Sequence, residues 1–244
     1  MKNIAWLSLV FLLLSCSRQA QEATSFSGAS DAQGMPFLRG ETVAYDIKSI
    51  GFLKAGEASL VFEGKQNLNG KEVFLIVFTS KAMNFSDQEK IYADAETFYP
   101  VRVERDLNIF GRKEKITEDY DRARGIIKIT KTEGGRTSEQ LIEKKGEVDN
   151  IYCFIYRYRK NGDFKIGDSF FMKLPTTDVK IKLEKETKLK TAGQTFDTFY
   201  MESDPAKYRV WFDAGEKKIP LRINGSVGIN AATLTMAEYK EGTE

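Results

Sequence analysis

Gly146–Lys160 (GEVDNIYCFIYRYRK) decides the reading of this chain, because it is the one convincing helix among runs that otherwise alternate as strands. Val148, Ile151, Tyr152, Ile155 and Tyr158 recur at helical spacing. At about 100° per residue they share one apolar face. Asp149 stands where an N-cap is wanted, and Arg157, Arg159 and Lys160 fall in the last turn, where cations complement the helix dipole. Asn161-Gly162 then ends the segment, so a helix is expected over about 148–160. A lone aromatic helix among many strands packs into the concave side of a curved sheet, since both have an apolar face to cover. Tyr152, Ile155, Tyr156 and Arg159 are therefore the candidate residues for lining a ligand site in that concavity.

Around the helix the sequence is punctuated as strands. Val43, Tyr45 and Ile47 alternate with Thr42, Ala44 and Asp46, and Gly51–Ala58 leads into Ser59–Glu63. Asn69-Gly70 is a hairpin signal before Glu72–Ser80. Lys90–Asp94 pairs with Tyr99–Asp106, and Lys113–Asp119 with Ile126–Lys131 around Asp121–Gly125; Gly134-Gly135 turns a fourth hairpin. After the helix come Ser169–Leu174, Val179–Lys185, Phe196–Glu202, Tyr208–Asp213, Ile219–Asn224 and Ala232–Tyr239. About a dozen strands with short connections give a mainly β fold: a strongly curved antiparallel sheet or barrel-like meander enclosing one aromatic helix. No linker interrupts it, so residues 37–241 read as a single domain.

The N-terminus reads MKNIAWLSLVFLLLSC. Lys2 supplies a positive start, and Ile4–Leu14 is a nearly unbroken apolar run. That run is short of the about 20 residues a membrane span needs, but suits a signal segment. It ends in Leu13-Leu14-Ser15-Cys16, which looks like a bacterial lipobox, with Cys16 the lipidated residue and 1–16 the signal peptide. The alternative is an ordinary signal peptide with an incidental cysteine. Ser17 rather than Asp follows, which under the enteric sorting rule directs the anchor to the outer membrane, facing the periplasm. Residues 17–36, rich in Ser, Ala, Gln and Gly, form a flexible tether that spans roughly 60 Å when stretched.

Gly51–Ala58 (GFLKAGEA), Asp149–Arg159, Gly167-Asp168, Gly193-x-x-Phe196 and Val210-Trp211-Phe212-Asp213 before Ile219-Pro220 together resemble the bacterial exported family known as domain of unknown function 3108. The pieces follow in order through nearly the whole mature chain. Tyr156 and Arg159 match the Tyr-x-x-Arg with which the helix of similar proteins ends. The resemblance implies a fold and a compartment, and very little chemistry.

Composition narrows the function classes. The formal charge of +2, with 30% charged residues of both signs, lacks the basic excess of a nucleic-acid binder. The absence of histidine removes the commonest general base, Ser-His and Cys-His pairs and His-ligated metals. Glu118-Asp119-x-Asp121 runs into Arg122-Ala123-Arg124-Gly125 and reads as a hairpin turn rather than a calcium loop. Cys153 lies about 140° from Val148 on the helix, a flank or exposed position, as a structural thiol or one activated by Arg157. Arg159 falls on the apolar face, to snorkel, to pair with a buried acid or to meet an anionic head group. The lysines of Lys173–Lys190 either guard a sheet edge or face an anionic leaflet.

One faint echo runs through the chain. Tyr92-Ala93-Asp94-Ala95 leads to Pro100-Val101-Arg102, as Trp211-Phe212-Asp213-Ala214 leads to Pro220-Leu221-Arg222. Duplication and convergence on one turn chemistry both explain it. The expectation is a non-catalytic envelope lipoprotein without cofactor or metal, held to the membrane by its acyl anchor. It binds or chaperones a lipid or other amphiphile; the alternative is an assembly module contacting another envelope protein, and no nucleic acid is involved.

Overall fold

The computed structural model describes residues 34–48, 54–227 and 230–243. Cys16, the signal segment and most of the tether lie outside the described residues. Fourteen strands are described: β1 (Glu41–Lys48), β2 (Lys54–Leu68), β3 (Lys71–Ala82), β4 (Phe85–Asp94), β5 (Pro100–Ile109), β6 (Arg112–Asp121), β7 (Ile126–Glu133) and β8 (Arg136–Glu143) precede helix α1 (Ile151–Asn161). After it come β9 (Ser169–Lys173), β10 (Asp178–Thr191), β11 (Gln194–Asp204), β12 (Arg209–Asp213), β13 (Pro220–Val227) and β14 (Asn230–Lys240). They form one sheet in the order β8-β7-β6-β5-β4-β3-β2-β1-β14-β13-β12-β11-β10-β9. Every neighbouring pair is antiparallel.

The sheet is curved and is not closed by a ladder between β8 and β9. The chain between β8 and α1 bridges them instead. Asp149 N donates to Lys173 O at 2.6 Å, Lys173 Nζ to Lys145 O at 2.8 Å, and Lys144 Nζ to Leu174 O at 2.5 Å. The strict alternation of buried and half-buried residues along β1 shows why one face must be covered. That inner face packs on α1 in a single core.

The echo noted in the sequence is repeated in the structure. At both places the register slips by one residue, between Tyr92 and Ala93 with Ala93 opposite Pro100, and between Trp211 and Phe212 with Phe212 opposite Pro220. Asp94 N donates to Tyr99 O and Asp213 N to Ile219 O, each at 2.9 Å. Each aspartate caps its own turn: Asp94 Oδ1 accepts from Thr97 N at 3.0 Å, and Asp213 Oδ2 from Ile219 N at 2.7 Å. Phe98 (φ 58°) and Lys218 (φ 49°) take the same left-handed position. The match continues outward, since Asn69-Gly70 and Ala192-Gly193 both turn with positive φ at both residues. The sheet thus holds two matching six-stranded meanders, β1–β6 and β9–β14, laid side by side with β1 against β14, and the β7–β8 hairpin extends the first.

Four expectations are corrected. The cap of α1 is Asn150, whose Oδ1 accepts from Tyr152 N at 2.8 Å, so the helix starts at Ile151 and Asp149 is free for another partner. Burial runs unbroken from Tyr152 to Arg159, because the curled sheet surrounds the helix instead of touching one face. For the same reason Cys153 is fully buried, not flanking or exposed. The lysine-rich β10 is not simply an edge: β9 covers Asp178–Lys182, and only the remainder runs past it.

Candidate functional site

The four residues expected to line a ligand site are all in the core. Tyr152 stacks on Phe78 with ring centroids 4.7 Å apart. Ile155 is completely buried, and Tyr156 sits edge-on to Phe37 at 4.8 Å and against Phe62 at 5.3 Å. Burial holds the Tyr156 hydroxyl protonated far above the usual phenol range. Arg159 pairs with a buried acid, one of its three readings. Its Nη1 and Nη2 donate to Glu41 Oε1 and Oε2 at 2.6 and 2.8 Å, and Nε and Nη2 to Lys217 O at 3.1 and 2.9 Å. Tyr239 adds its hydroxyl to Glu41 Oε2 at 3.2 Å. With the Arg159 and Glu41 side chains 0% and 1% exposed, that guanidinium is fully used within the fold.

Arg157 solves the same problem two residues earlier. It forms a bidentate pair with the buried Asp149 and lies over the Tyr99 ring, 4.1 Å from its centroid. A helix buried on all sides carries charge only where each charge has a partner. Cys153 shares this interior, where burial first and then Asp149 push its thiol well above the ordinary value. A protonated, enclosed thiol is a poor nucleophile.

A charged cluster lies on another part of the inner face, buried or half-buried. Beside α1, strands β4–β7 present Asp87, Glu89, Arg105, Glu118 and Tyr120 together with half-buried Ile116 and Ile129. Asp87 is buried and holds Arg105 bidentately, with Nε donating to Oδ1 at 2.8 Å. Glu89 Oε1 stands 3.4 Å from the same Nε. Tyr120 donates its hydroxyl to Glu118 Oε2 at 2.5 Å. One guanidinium thus faces three carboxyls. Burial raises Glu89 to about 7; Arg105 opposes this, while Asp87 and Glu118 add to it. Burial also raises Glu118. A second charged row lies nearer the end of the strands, where Lys131 Nζ meets Glu114 Oε2 at 2.8 Å and Glu133 Oε2 at 3.1 Å, and Arg112 joins both acids.

Periodicity carries a signal for this cluster. Asp87 and Glu89 fall in phase with Ile91 and Ala93, and Arg105 in phase with Val103 and Leu107. Charged residues at core positions of a period-two pattern mark a polar site on a buried face. Glu118-Asp119-x-Asp121 divides as its alternation demands: Glu118 points inward, while Asp121 accepts from Arg124 N at 3.0 Å in the hairpin turn. Among the described residues no group of three or more His, Cys, Asp or Glu is arranged to hold a metal ion.

An antiparallel sheet wrapped around a single helix, with a polar strip on its inner face, defines a barrel-like β protein. The chain belongs to the family described as Protein of unknown function (DUF3108), which matches residues 44–237. Among solved structures it is similar to a beta-barrel-like protein of domain of unknown function DUF1849 from Brucella abortus, at 9% identity and a TM-score of 0.50, over 85% of this chain and 99% of that one. It also matches a candidate lipoprotein from Parabacteroides distasonis ATCC 8503, at 9% identity and a TM-score of 0.28, over 85% and 99% of the two chains. No curated protein matches it.

Proposed function

We propose that this protein is a non-catalytic lipoprotein of the cell envelope, anchored through Cys16 to the outer membrane on its periplasmic side, that binds or chaperones an amphiphile on the inner face of its sheet. The observation that carries the reading is the mixed strip on β4–β7, where Glu89, Arg105, Ile116, Glu118 and Ile129 are half-buried on the inner face. There half-buried Ile116 and Ile129 offer an apolar track beside Arg105, Glu89 and Glu118, a pattern suited to a molecule with a chain and a polar head. The strip replaces the face of α1 as the proposed lining. The enclosed Cys153 and the lack of histidine in the chain support a non-catalytic role.

The test is native mass spectrometry with lipid extraction on the whole chain, purified from membranes in detergent. An amphiphile near one per protein, lost in Ile129→Glu, is the expected result. A mass carrying only the chain's own acyl groups refutes the carrier and leaves the anchor standing. A chain found in the soluble fraction, with Cys16 unmodified, refutes the anchor.

A second reading, an assembly module that adds a partner strand, is favoured by β8. This terminal strand of the sheet is exposed at every residue but Ile142, with Leu141 65% exposed. A cross-linker placed at Ser138 that captures one envelope protein in place of any lipid selects it.

A further inference from the structure

The end of the sheet farthest from the entering chain carries two bare apolar tips. Met83, in the β3–β4 turn, is 94% exposed, and Phe110, in the β5–β6 turn, is 79% exposed. The two turns are joined, since Phe110 N donates to Asn84 O at 2.7 Å. Turn geometry does not call for the phenylalanine. Phe110-Gly111 (φ 52° and 86°) copies Asn69-Gly70 (φ 52° and 88°), and each is closed by an Asn side chain accepting the glycine N–H at 2.9 Å. Asparagine suits the left-handed first position and a bulky ring does not. The ring is therefore held in an unfavourable conformation and left in water as well.

Lys81 and Lys113 flank the tips, both exposed and neither in an ion pair among the described residues, whereas Arg112 is engaged by Glu133 and Glu114. Pairing of Ala82 with Phe85, Phe85 with Ile109 and Ile109 with Arg112 places the tips on one row. Glu41, where the chain enters β1, lies at the opposite end of that strand from Ile47, which shares the row through Gly56 and Ala82.

We propose that Met83 and Phe110 insert into the interface of an anionic phospholipid bilayer, with Lys81 and Lys113 against its head groups, so that the domain stands on the end remote from its tether. Apolar side chains flanked by lysines are the chemistry of a bilayer interface. The proposal goes beyond amphiphile binding and draws on the anchored reading only to keep the domain near a membrane. The chain between Cys16 and Gly34 reaches roughly 60 Å when stretched. The fifteen residues of β2 span roughly 50 Å, so the tether permits this orientation.

The experiment places single tryptophans in the acylated whole chain on vesicles of phosphatidylcholine with a minority of phosphatidylglycerol, part of the lipid brominated in the acyl chain. Phe110→Trp and Met83→Trp are compared with Gln194→Trp at the other end, after subtracting the signal of the unsubstituted chain. The expected result is a blue shift and at least about twofold stronger quenching at both tips than at the control. Both are reduced by Lys81→Glu with Lys113→Glu and by omitting phosphatidylglycerol. Equal quenching at the tips and the control, quenching indifferent to lipid charge, or a chain that floats with vesicles while its tips stay unquenched overturns the proposal. Failure of the unsubstituted chain to float refutes the anchor alone. The tips are then judged by their emission on adding excess vesicles, and an unchanged spectrum overturns the docking as well.

Discussion

Arg159→Met tests how the buried charges of α1 are held. The substitution keeps the length and apolar stem of the side chain and deletes the guanidinium that Glu41 meets at 2.6 and 2.8 Å, stranding a carboxylate whose side chain is 1% exposed. Breaking a buried pair from one side costs about 3–5 kcal/mol, mostly as the penalty of the charge left behind. Tyr239 remains on Glu41 Oε2 at 3.2 Å and recovers only part of it. At about 2–4 °C per kcal/mol for a domain of this size, the midpoint falls by roughly 6–20 °C. Adding Glu41→Leu removes the stranded carboxylate. It leaves the Lys217 carbonyl without its two donors, worth about 1–3 kcal/mol, so the double variant recovers much of the loss without reaching wild type. Urea unfolding of the four proteins, followed by fluorescence and circular dichroism, reads the cycle. A single variant within about 1 kcal/mol of wild type, or a double variant as unstable as the sum of the two singles, refutes the reasoning.

Other outcomes follow from the interior. Glu89 has an ordinary value of 4.5 and a folded value of about 7, so the folded state holds its proton between these values and stability falls as pH rises through that window. Glu89→Gln removes the Glu89 share of the slope, leaving the variant on the order of 3 kcal/mol more stable than wild type at pH 8 and level with it below pH 4.5; urea midpoints at the two extremes check this. Gly56→Ala drives its new methyl into the Lys81 carbonyl across the β2–β3 pairing, costing about 1–3 kcal/mol, which thermal unfolding measures. Cys153 stays unlabelled by a thiol reagent in the folded protein at pH 8 and reacts fully in denaturant; rapid native labelling would contradict its burial.

What the sequence disclosed was local. Val43, Tyr45 and Ile47 show their buried face through alternation, and Asn69-Gly70 fixes its hairpin through a conformation that few residue pairs adopt. Aromatic spacing located α1 to within a few residues. The errors arose where long-range geometry decides. Placing Cys153 on a flank assumed that the helix lies on an open sheet, but the sheet encloses it. Asp149 and Asn150 are adjacent capping residues, and their roles separate only because Arg157 claims the first. Glu41 and Arg159 are 118 residues apart, and no local pattern ties one to the other. The polar strip was more accessible: Asp87, Glu89 and Arg105 violate the apolar phase of their strands, and that violation is the cue.

The seam between the two meanders also imposes an order of assembly. β1 pairs with β14, the first strand with the last, and Thr243 N reaches Arg39 O at 2.8 Å. A chain made from its N-terminus can form the hairpins of its first half early, yet β1 keeps an unpaired edge until β14 arrives. The complete sheet therefore forms only once the whole chain is available, and loss of β14 alone divides it into two halves with raw edges at its centre. The contact of Thr243 with Arg39 makes the described domain a natural subject for circular permutation, with new termini cut at Gly134-Gly135, where the bond broken carries no partner across the seam.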